Sequence, residues 1–328
     1  MKALPALLKK IARRRLVVIG DVILDRYLWG DATRISPEAP VPVVHVLRET
    51  ETMGGAANVA HNIAALGAET EVIGAVGGDE NGQILRQLLR AKGIVFDDRF
   101  VVPGARTITK TRVVVRNQQL CRLDREESPG AYGRALLTSE ALALIESKIK
   151  HADGVILSDY AKGMFTTGVI QRITAMARKH GKFIALDPKP ASGIKFQDLD
   201  LITPNRREAI ELADLKLGAE EDVDFKKVCA RIWGLYRPRN LVITLGADGM
   251  LTSHKGNVVH TIPTAARQVY DVSGAGDTVI AALTLALTSK TTLEQAAHFA
   301  NAAAGVVVGK LGTATVTPEE LVAYVNHQ

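Results

Sequence analysis

Residues 271–287 read DVSGAGDTVIAALTLAL: three small residues, Gly274, Ala275 and Gly276, run directly into an apolar stretch that reads as a helix. Backbone amides at such a helix start have no partner within the helix and make a cradle for anionic oxygens. Asp277 stands beside that cradle. A carboxylate there can accept a proton from a substrate hydroxyl while the amides hold the charge developing on a phosphoryl group. Phosphoryl transfer asks mainly for such positioning and charge stabilisation. The same acid also suits the helix dipole as a simple cap, and the turn alone leaves both readings open. The chain has no G-x-x-x-x-G-K-[ST] run, which excludes a Walker loop, and no G-x-G-x-x-G after its first strand, which weakens a dinucleotide reading.

Upstream of the turn, short apolar runs alternate with helical stretches. RLVVIGDVIL (15–24) reads as a first strand, GGAANVAHNIAALG (54–67) as a helix and TEVIGAVG (70–77) as the next strand. DGVILSDY (153–160), KFIALDP (182–188), LDLITPN (199–205) and NLVITLGADG (240–249) follow as further strands. Unbroken Val/Ile/Leu runs indicate a parallel sheet covered on both faces. Ligands of such sheets bind beyond the carboxyl ends of the strands. Asp21, Asp25, Asp159, Asp187 and Asn205 are therefore expected to converge on one cleft.

Two regions break the rhythm. RISPEAPVPVV (34–44) carries three prolines without helical spacing, and proline avoids sheet interiors, so it reads as an edge or flap. FVVPGARTITKTRVVVRNQQLCRLD (100–124) alternates polar and apolar residues as a half-exposed strand does. Segments 28–50 and 100–124 are expected to form a small sheet protruding beside the main one.

The 328 residues fit one α/β domain, 1–328, with 47% hydrophobic residues for its core. The net charge is +6 and the pI about 9.3, which suits an anionic substrate. No basic run is interleaved with aromatics, so no nucleic-acid partner is expected. KKIARRR (9–15) reads as the solvated end of a first helix. Cys121 and Cys229 lack C-x-x-C spacing and read as reduced thiols. The chain shows neither a cleavable leader nor an apolar run of membrane-spanning length. A cytoplasmic protein without a membrane partner is expected.

Three more stretches bear on the site. TPNRREA (203–209) places Asn205 and Glu208 three apart, suited either to water-coordinated magnesium or to a capping box. TLGADG (244–249) is either a nucleotide-binding turn or an ordinary hairpin. AHFANAAAGVVVGKLGT (297–313) is a small-residue helix that admits either a flat base or close packing.

In this order, GGAANVA, N-x-x-E, T-L-G-x-x-G and D-x-S-G-A-G-D resemble the ribokinase, or PfkB, family of carbohydrate kinases over nearly the whole chain. Ser273 stands where the family commonly has Thr, and the hydroxyl is kept. The resemblance implies a ribokinase-like fold with a mostly parallel central sheet, helices on both faces and a small β-lid. It implies ATP and Mg2+, with transfer of the γ-phosphate to a sugar hydroxyl. Asp277 matches the catalytic base and Gly274, Ala275 and Gly276 the anion hole. Asn205, Thr244, Gly246, Gly249 and Asn301 match nucleotide-binding positions. Asn205 and Glu208 match the magnesium motif, acting through water. Asp21, Asp25, Gly54, Gly55 and Asn58 match sugar contacts.

Within the family, GDVILDRYLWGDATRISPEAPVPVVHV, ITKTRVVVRNQQLCRLD and LSDYAKG resemble kinases acting on the anomeric hydroxyl of D-glycero-β-D-manno-heptose 7-phosphate, in ADP-heptose and lipopolysaccharide synthesis. That likeness implies a homodimer paired through the lid. Some such kinases are fused to a nucleotidyltransferase domain; with no H-x-G-H signature before Gln328, either a stand-alone kinase served by a separate phosphatase and nucleotidyltransferase or the kinase domain of such a bifunctional enzyme is expected. A phosphorylated acceptor needs cations, which Lys110, Arg112, Lys162 and Lys189 are expected to supply, with Asp159 nearby and Arg34 as a further acceptor contact. A kinase for another sugar or nucleoside, or a nucleotide-sensing module without turnover, stays open at this point.

Overall fold

The computed structural model describes residues 4–116, 118–127, 130, 132–215 and 223–327. Residue 117, in the expected second lid segment, lies outside them. The strands are β1 (Arg15–Gly20), β2 (Val22–Ile35), β3 (Pro42–Gly55), β4 (Glu69–Ile73), β5 (Val76–Gly77), β6 (Val95–Phe96), β7 (Val101–Val102) and β8 (Ile108–Val115). They continue with β9 (Gln118–Arg125), β10 (Gly154–Ser158), β11 (Phe183–Asp187), β12 (Leu201–Ile202), β13 (Asn240–Thr244), β14 (Met250–His254) and β15 (Asn257–Ile262). The helices are α1 (Leu4–Ile11), α2 (Ala56–Ala65), α3 (Glu80–Ala91), α4 (Ser139–His151), α5 (Thr167–Lys179), α6 (Arg206–Leu212), α7 (Phe225–Tyr236), α8 (Ala275–Thr288), α9 (Leu293–Val307) and α10 (Pro318–Asn326).

The main sheet runs β15-β14-β13-β12-β11-β10-β1-β4-β6. Every pairing from β13 to β6 is parallel, and β14 and β15 are added antiparallel at one edge. In β1 successive side chains point to opposite faces. Leu16 and Val18 join one apolar cluster with Ala60 of α2, Ile280 of α8 and Phe299 of α9. Val17 and Ile19 join the other, with Ile145 of α4, Ile173 of α5 and Ile232 of α7. The expected helices on both faces are present. Helix α8 is buried along its length from Asp277 to Ala286, which accounts for its all-round apolar composition.

A second, four-stranded sheet runs β3-β2-β8-β9. Strands β2 and β3 are a 14-residue antiparallel pair, β8 lies parallel to β2, and β9 returns antiparallel. RISPEAPVPVV is the tip of that hairpin: β2 ends at Ile35 and the edge strand β3 opens on Pro42. Proline at a strand start on an edge removes no ladder bond. Ile35, Leu47 and Leu123 of this sheet are more than half exposed.

The expected strand 15–24 divides. β1 ends at Gly20, and from Val22 the chain belongs to the second sheet. Asp21 is the joint, its amide donating to Ser158 O at 3.2 Å. The expected strand 70–77 also divides, because Gly74 sits where a Cβ would lie 2.2 Å from Val22 and 2.4 Å from Gly20 O. The close approach of β1 to β10 needs a residue without a side chain as well, since a Cβ on Gly20 would lie 2.0 Å from Ser158 O. Gly20→Ala is expected to lower stability by about 1–3 kcal/mol, measured by urea unfolding; an unchanged midpoint would show that this approach is looser than described.

Candidate active site

The loops after β10, β11, β12 and β13 and the start of α8 meet at one end of the main sheet. Gly274 caps α8 in the left-handed region, φ 80°. A Cβ on it would press to 2.7 Å from Asn58 Nδ2, whereas one on Gly276 would meet nothing within 4 Å. The first glycine is thus required by packing and by its backbone conformation, and the second keeps the turn open toward the cleft.

Asp277, in the first turn of α8, is 3% exposed. Asn58 of α2 donates Nδ2–H to Oδ2 at 2.7 Å, and Tyr160 donates its hydroxyl to Oδ1 at 2.6 Å. Asn62, one turn along α2, donates to Asn58 O at 2.9 Å and accepts from Thr278 Oγ1 at 2.7 Å. Two polar contacts thereby fasten α2 to α8 within an otherwise apolar interface. Burial pushes the Asp277 carboxyl up to about 6, against the donors Tyr160 and Asn58, which hold it down.

In front of this carboxylate lies a cleft of about 1010 Å³ lined by Tyr160, Asp187, Lys189, Asn205, Glu208 and Thr244, among others. Burial pushes Asp187 up to about 8, with Lys189 opposing and Glu208 adding to the rise. Lys189 is ion-paired with Glu208. Asn205 and Glu208 form the capping box of α6: Glu208 N donates to Asn205 Oδ1 at 3.0 Å, and Asn205 N to Glu208 Oε2 at 2.9 Å. The box fixes both side chains at the rim of the cleft, so the two readings of the N-x-x-E run are compatible.

The cleft opens onto a largely apolar cavity of about 530 Å³, sharing Thr244, Gly246, Val272 and Gly276 with it. Ala304, Val308 and Asn301 line the far side. Asn301 Nδ2 is held by Pro263 O at 2.7 Å. Gly249 has φ 88°, and a Cβ there would lie 2.1 Å from Ile262 O. TLGADG is a hairpin turn between β13 and β14 and also a wall of this cavity.

On the other side of Asp277 stands the second sheet. Asp25 of β2 accepts from Arg112 of β8 at 2.6 Å. Lys110, two residues before Arg112, is in register with Asp25, and its Nζ lies 5.1 Å from the centre of the Tyr160 ring. The expected shared face of Lys110 and Arg112 is therefore formed around Asp25. Lys162 is paired with Glu126 at 2.6 Å and is near enough to Lys110 to lower its pKa, after the larger effect of burial. Gly54 leaves room for Asp25, whose Oδ2 would lie 2.3 Å from a Cβ there. Gly55, at φ 58°, lies against Asp21 O in the same way.

Four expected site residues, two from the strand-end argument and two expected as acceptor contacts, sit elsewhere. Asp21 is turned inward: Oδ2 accepts from the amides of Tyr160 and Lys162 at 2.8 and 3.2 Å, and Oδ1 from that of Met164 at 3.2 Å. Asp159 is held by Ala161 N at 2.9 Å and Ser192 Oγ at 2.7 Å and lines a separate small cavity. Side chains alternate along an extended strand end, so neighbours 159 and 160 cannot both face one cleft. Lys189, expected on the acceptor side, is drawn instead into the main cleft by Glu208 and Asp187. Arg34 is exposed near the hairpin tip, nine residues along β2 from Asp25 and roughly 30 Å away at 3.3 Å per residue. Tyr160 was missed as a site residue. Its signal was its place at the end of a buried strand, as the polar-tipped aromatic of LSDY.

A doubly covered parallel sheet, a glycine-turned helix start, a buried carboxylate and a cleft at the strand ends together define a phosphotransferase acting on a hydroxyl. The model for the pfkB family of carbohydrate kinases matches residues 13–320, and the chain belongs to that family. A bifunctional protein HldE of Helicobacter acinonychis is 41% identical over 313 residues, which is 95% of this chain and 66% of that protein. The chain thus spans slightly less than two thirds of the length of that relative. Two solved structures share the fold. Ribokinase of Arabidopsis thaliana, complexed with ribose and ATP, has TM-score 0.74 at 19% identity over 95% of this chain and 99% of its own. Phosphofructokinase-2 of Escherichia coli, in complex with potassium, has TM-score 0.75 at 21% identity over 96% and 99%. The likeness expected from the motifs is a family membership, and the ribokinase-like fold is the observed one.

The turn that carries Tyr160 depends on Asp21. Ala161 and Gly163 are left-handed, φ 54° and 88°, and three amides of this turn end on one carboxylate. Asp21→Asn turns an acceptor into a donor facing those amides. It is expected to cost about 1–3 kcal/mol and to speed amide hydrogen exchange at Tyr160, Lys162 and Met164; protection equal to the wild type would remove Asp21 from this role.

Proposed function

We propose that the chain transfers the γ-phosphoryl group of ATP, with magnesium, to the anomeric hydroxyl of D-glycero-β-D-manno-heptose 7-phosphate. The observation that carries this choice of acceptor is Lys110. It is half-buried, and burial lowers its pKa against the opposing pull of Asp25, yet among the described residues it forms no ion pair of its own. Its neighbour Arg112 is already matched to Asp25. A desolvated ammonium without a direct counter-charge destabilises a protein, and a phosphate carried by the acceptor supplies that charge. A neutral sugar would not. The identity to HldE over 95% of the chain supports the same acceptor class.

The reaction follows from the placement of groups. The triphosphate lies along the 1010 Å³ cleft, and the base lies in the apolar cavity behind Thr244 and Gly246. The acceptor lies between Asp25 and Lys110, under the second sheet. Its hydroxyl gives its proton to Asp277 as its oxygen bonds to the γ-phosphorus, and the bond to the leaving ADP oxygen breaks. The amides of the Gly274–Asp277 turn hold the developing charge.

The oxygen donors of Asn205, Glu208 and Asp187 suit a hard cation. Among the described residues no group of three or more His, Cys, Asp or Glu is placed to hold a metal. An ion there would be bound chiefly through waters and phosphates and would neutralise phosphate charge. Asn205 and Glu208 are the side chains that would orient those waters.

Turnover is expected with heptose 7-phosphate in a panel of sugars and phosphosugars assayed by ADP release. Lys110→Ala is expected to raise KM for that acceptor about 10- to 100-fold, the worth of a charge-assisted hydrogen bond, with little change in KM for ATP. Turnover with a neutral sugar alone, or an unmoved acceptor KM, would reject this choice of acceptor.

The base also predicts a pH profile. Asp277 accepts a proton only when ionised, so kcat/KM is expected to fall as pH drops through about 6 and to level off above it. Asp277→Asn is expected to keep ATP binding, lose the limb and lower kcat roughly 10²–10⁴-fold. Near-normal kcat in that variant would end the base assignment.

A further inference from the structure

Beside the base stands a group that the bare transfer reaction does not call for. Tyr160 follows β10 with its amide on Asp21 Oδ2 at 2.8 Å and its hydroxyl on Asp277 Oδ1 at 2.6 Å. Lys110 Nζ and Lys189 Nζ lie 5.1 and 5.7 Å from its ring centre. The ring is therefore a wall shared by the acceptor side, where Lys110 sits, and the phosphoryl side, where Lys189 sits.

We infer that Tyr160 is the positioning residue of Asp277, its hydroxyl fixing one carboxylate oxygen and favouring the charged, proton-accepting form. The inference rests on Asp277 as the base and says how that base is held. Asn58 alone secures only Oδ2 and leaves Oδ1 without a partner in a buried site. An unmatched buried carboxylate oxygen is costly and would drive the group toward its neutral acid. The carboxylate of Asp25 pushes the same way. Lys189 opposes Asp25 but is itself bound to Glu208.

A neutral donor is the suitable corrective here. It stabilises the ionised base, whereas a directly bonded cation would hold the carboxyl low and leave it a poor proton acceptor. Burial and the neighbouring Asp277 keep the phenol itself well above its ordinary range, so it remains a donor at working pH. During transfer Tyr160 keeps its proton. The acceptor's proton goes to Asp277, whose oxygens each retain a second lone pair.

Tyr160→Phe keeps the ring and its contacts with both lysines and removes only the hydroxyl. We expect kcat to fall about 10- to 100-fold, the acid limb of kcat/KM to move to higher pH, and KM for the sugar to stay near wild type. Fluorotyrosine at position 160, a stronger donor, is expected to move the limb to lower pH. A substrate-free measurement separates this inference from the choice of acceptor. The ¹³C carboxyl signal of Asp277, identified by its absence in Asp277→Asn, is expected to titrate at higher pH in Tyr160→Phe. Loss of kcat with unchanged Asp277 titration would make Tyr160 merely structural and overturn the inference, as would an unchanged kcat and acid limb. Full turnover by Asp277→Asn would overturn the base assignment and this role with it, and the shifted titration would then report only a hydrogen bond.

Discussion

A carboxylate buried at the start of a buried helix is the constraint around which this molecule is arranged. Removing Asp277 from water disfavours its charge, and the charged form is the one that can take a proton. The protein answers with two neutral donors, Tyr160 and Asn58, rather than with a bonded cation. Each comes from a different element, one from the end of β10 and one from α2. The relative placement of α2, α8 and β10 is therefore fixed by polar geometry as well as by the apolar contact beneath it.

That placement explains residues that touch no reacting group. Asn62 and Thr278 hold α2 to α8 one turn beyond Asn58 and Asp277. Asp21 gathers three amides of the 160–164 turn. Gly20 and Gly74 let β1 lie close enough to its neighbours for Asp21 to reach that turn. Asp21, a strand-end carboxylate that reads as a ligand contact in the sequence, is thus spent with these neighbours on locating the few groups that do face the cleft. The burial of Asp21, which pushes its carboxyl up to about 6, is the cost of that service.

Much of the fold was legible because its signals are local. Unbroken apolar runs ending in polar residues gave the parallel strands, and period-two alternation with prolines marked the second sheet and its hairpin tip. The glycine turn announced α8 and the acid beside it. What could not be seen was direction at single residues. Asp159 and Tyr160 are adjacent, so only one can face the cleft, and the choice lies with Ser192 and Asp277, more than thirty and one hundred residues away in the chain. Lys189 likewise follows Glu208 rather than the acceptor. Arg34 was misplaced for another reason. A β-strand of 14 residues carries its far end well away from the site, and a motif read as a block hides that length.

The two sides of Asp277 are built from different chemistry. Toward the cleft stand backbone amides, a capping box and an apolar cavity, which suit a nucleotide whatever its acceptor. Toward the second sheet stand Asp25, Arg112, Lys110 and Lys162, with Asp25 matched to Arg112, Lys162 to Glu126, and Lys110 without an ion pair among the described residues. Tyr160 belongs to both sides, since its ring lies against one lysine of each and its hydroxyl reaches the base between them. Lys110 and the Asp277 carboxylate thus meet one side chain, the first at its ring and the second at its hydroxyl.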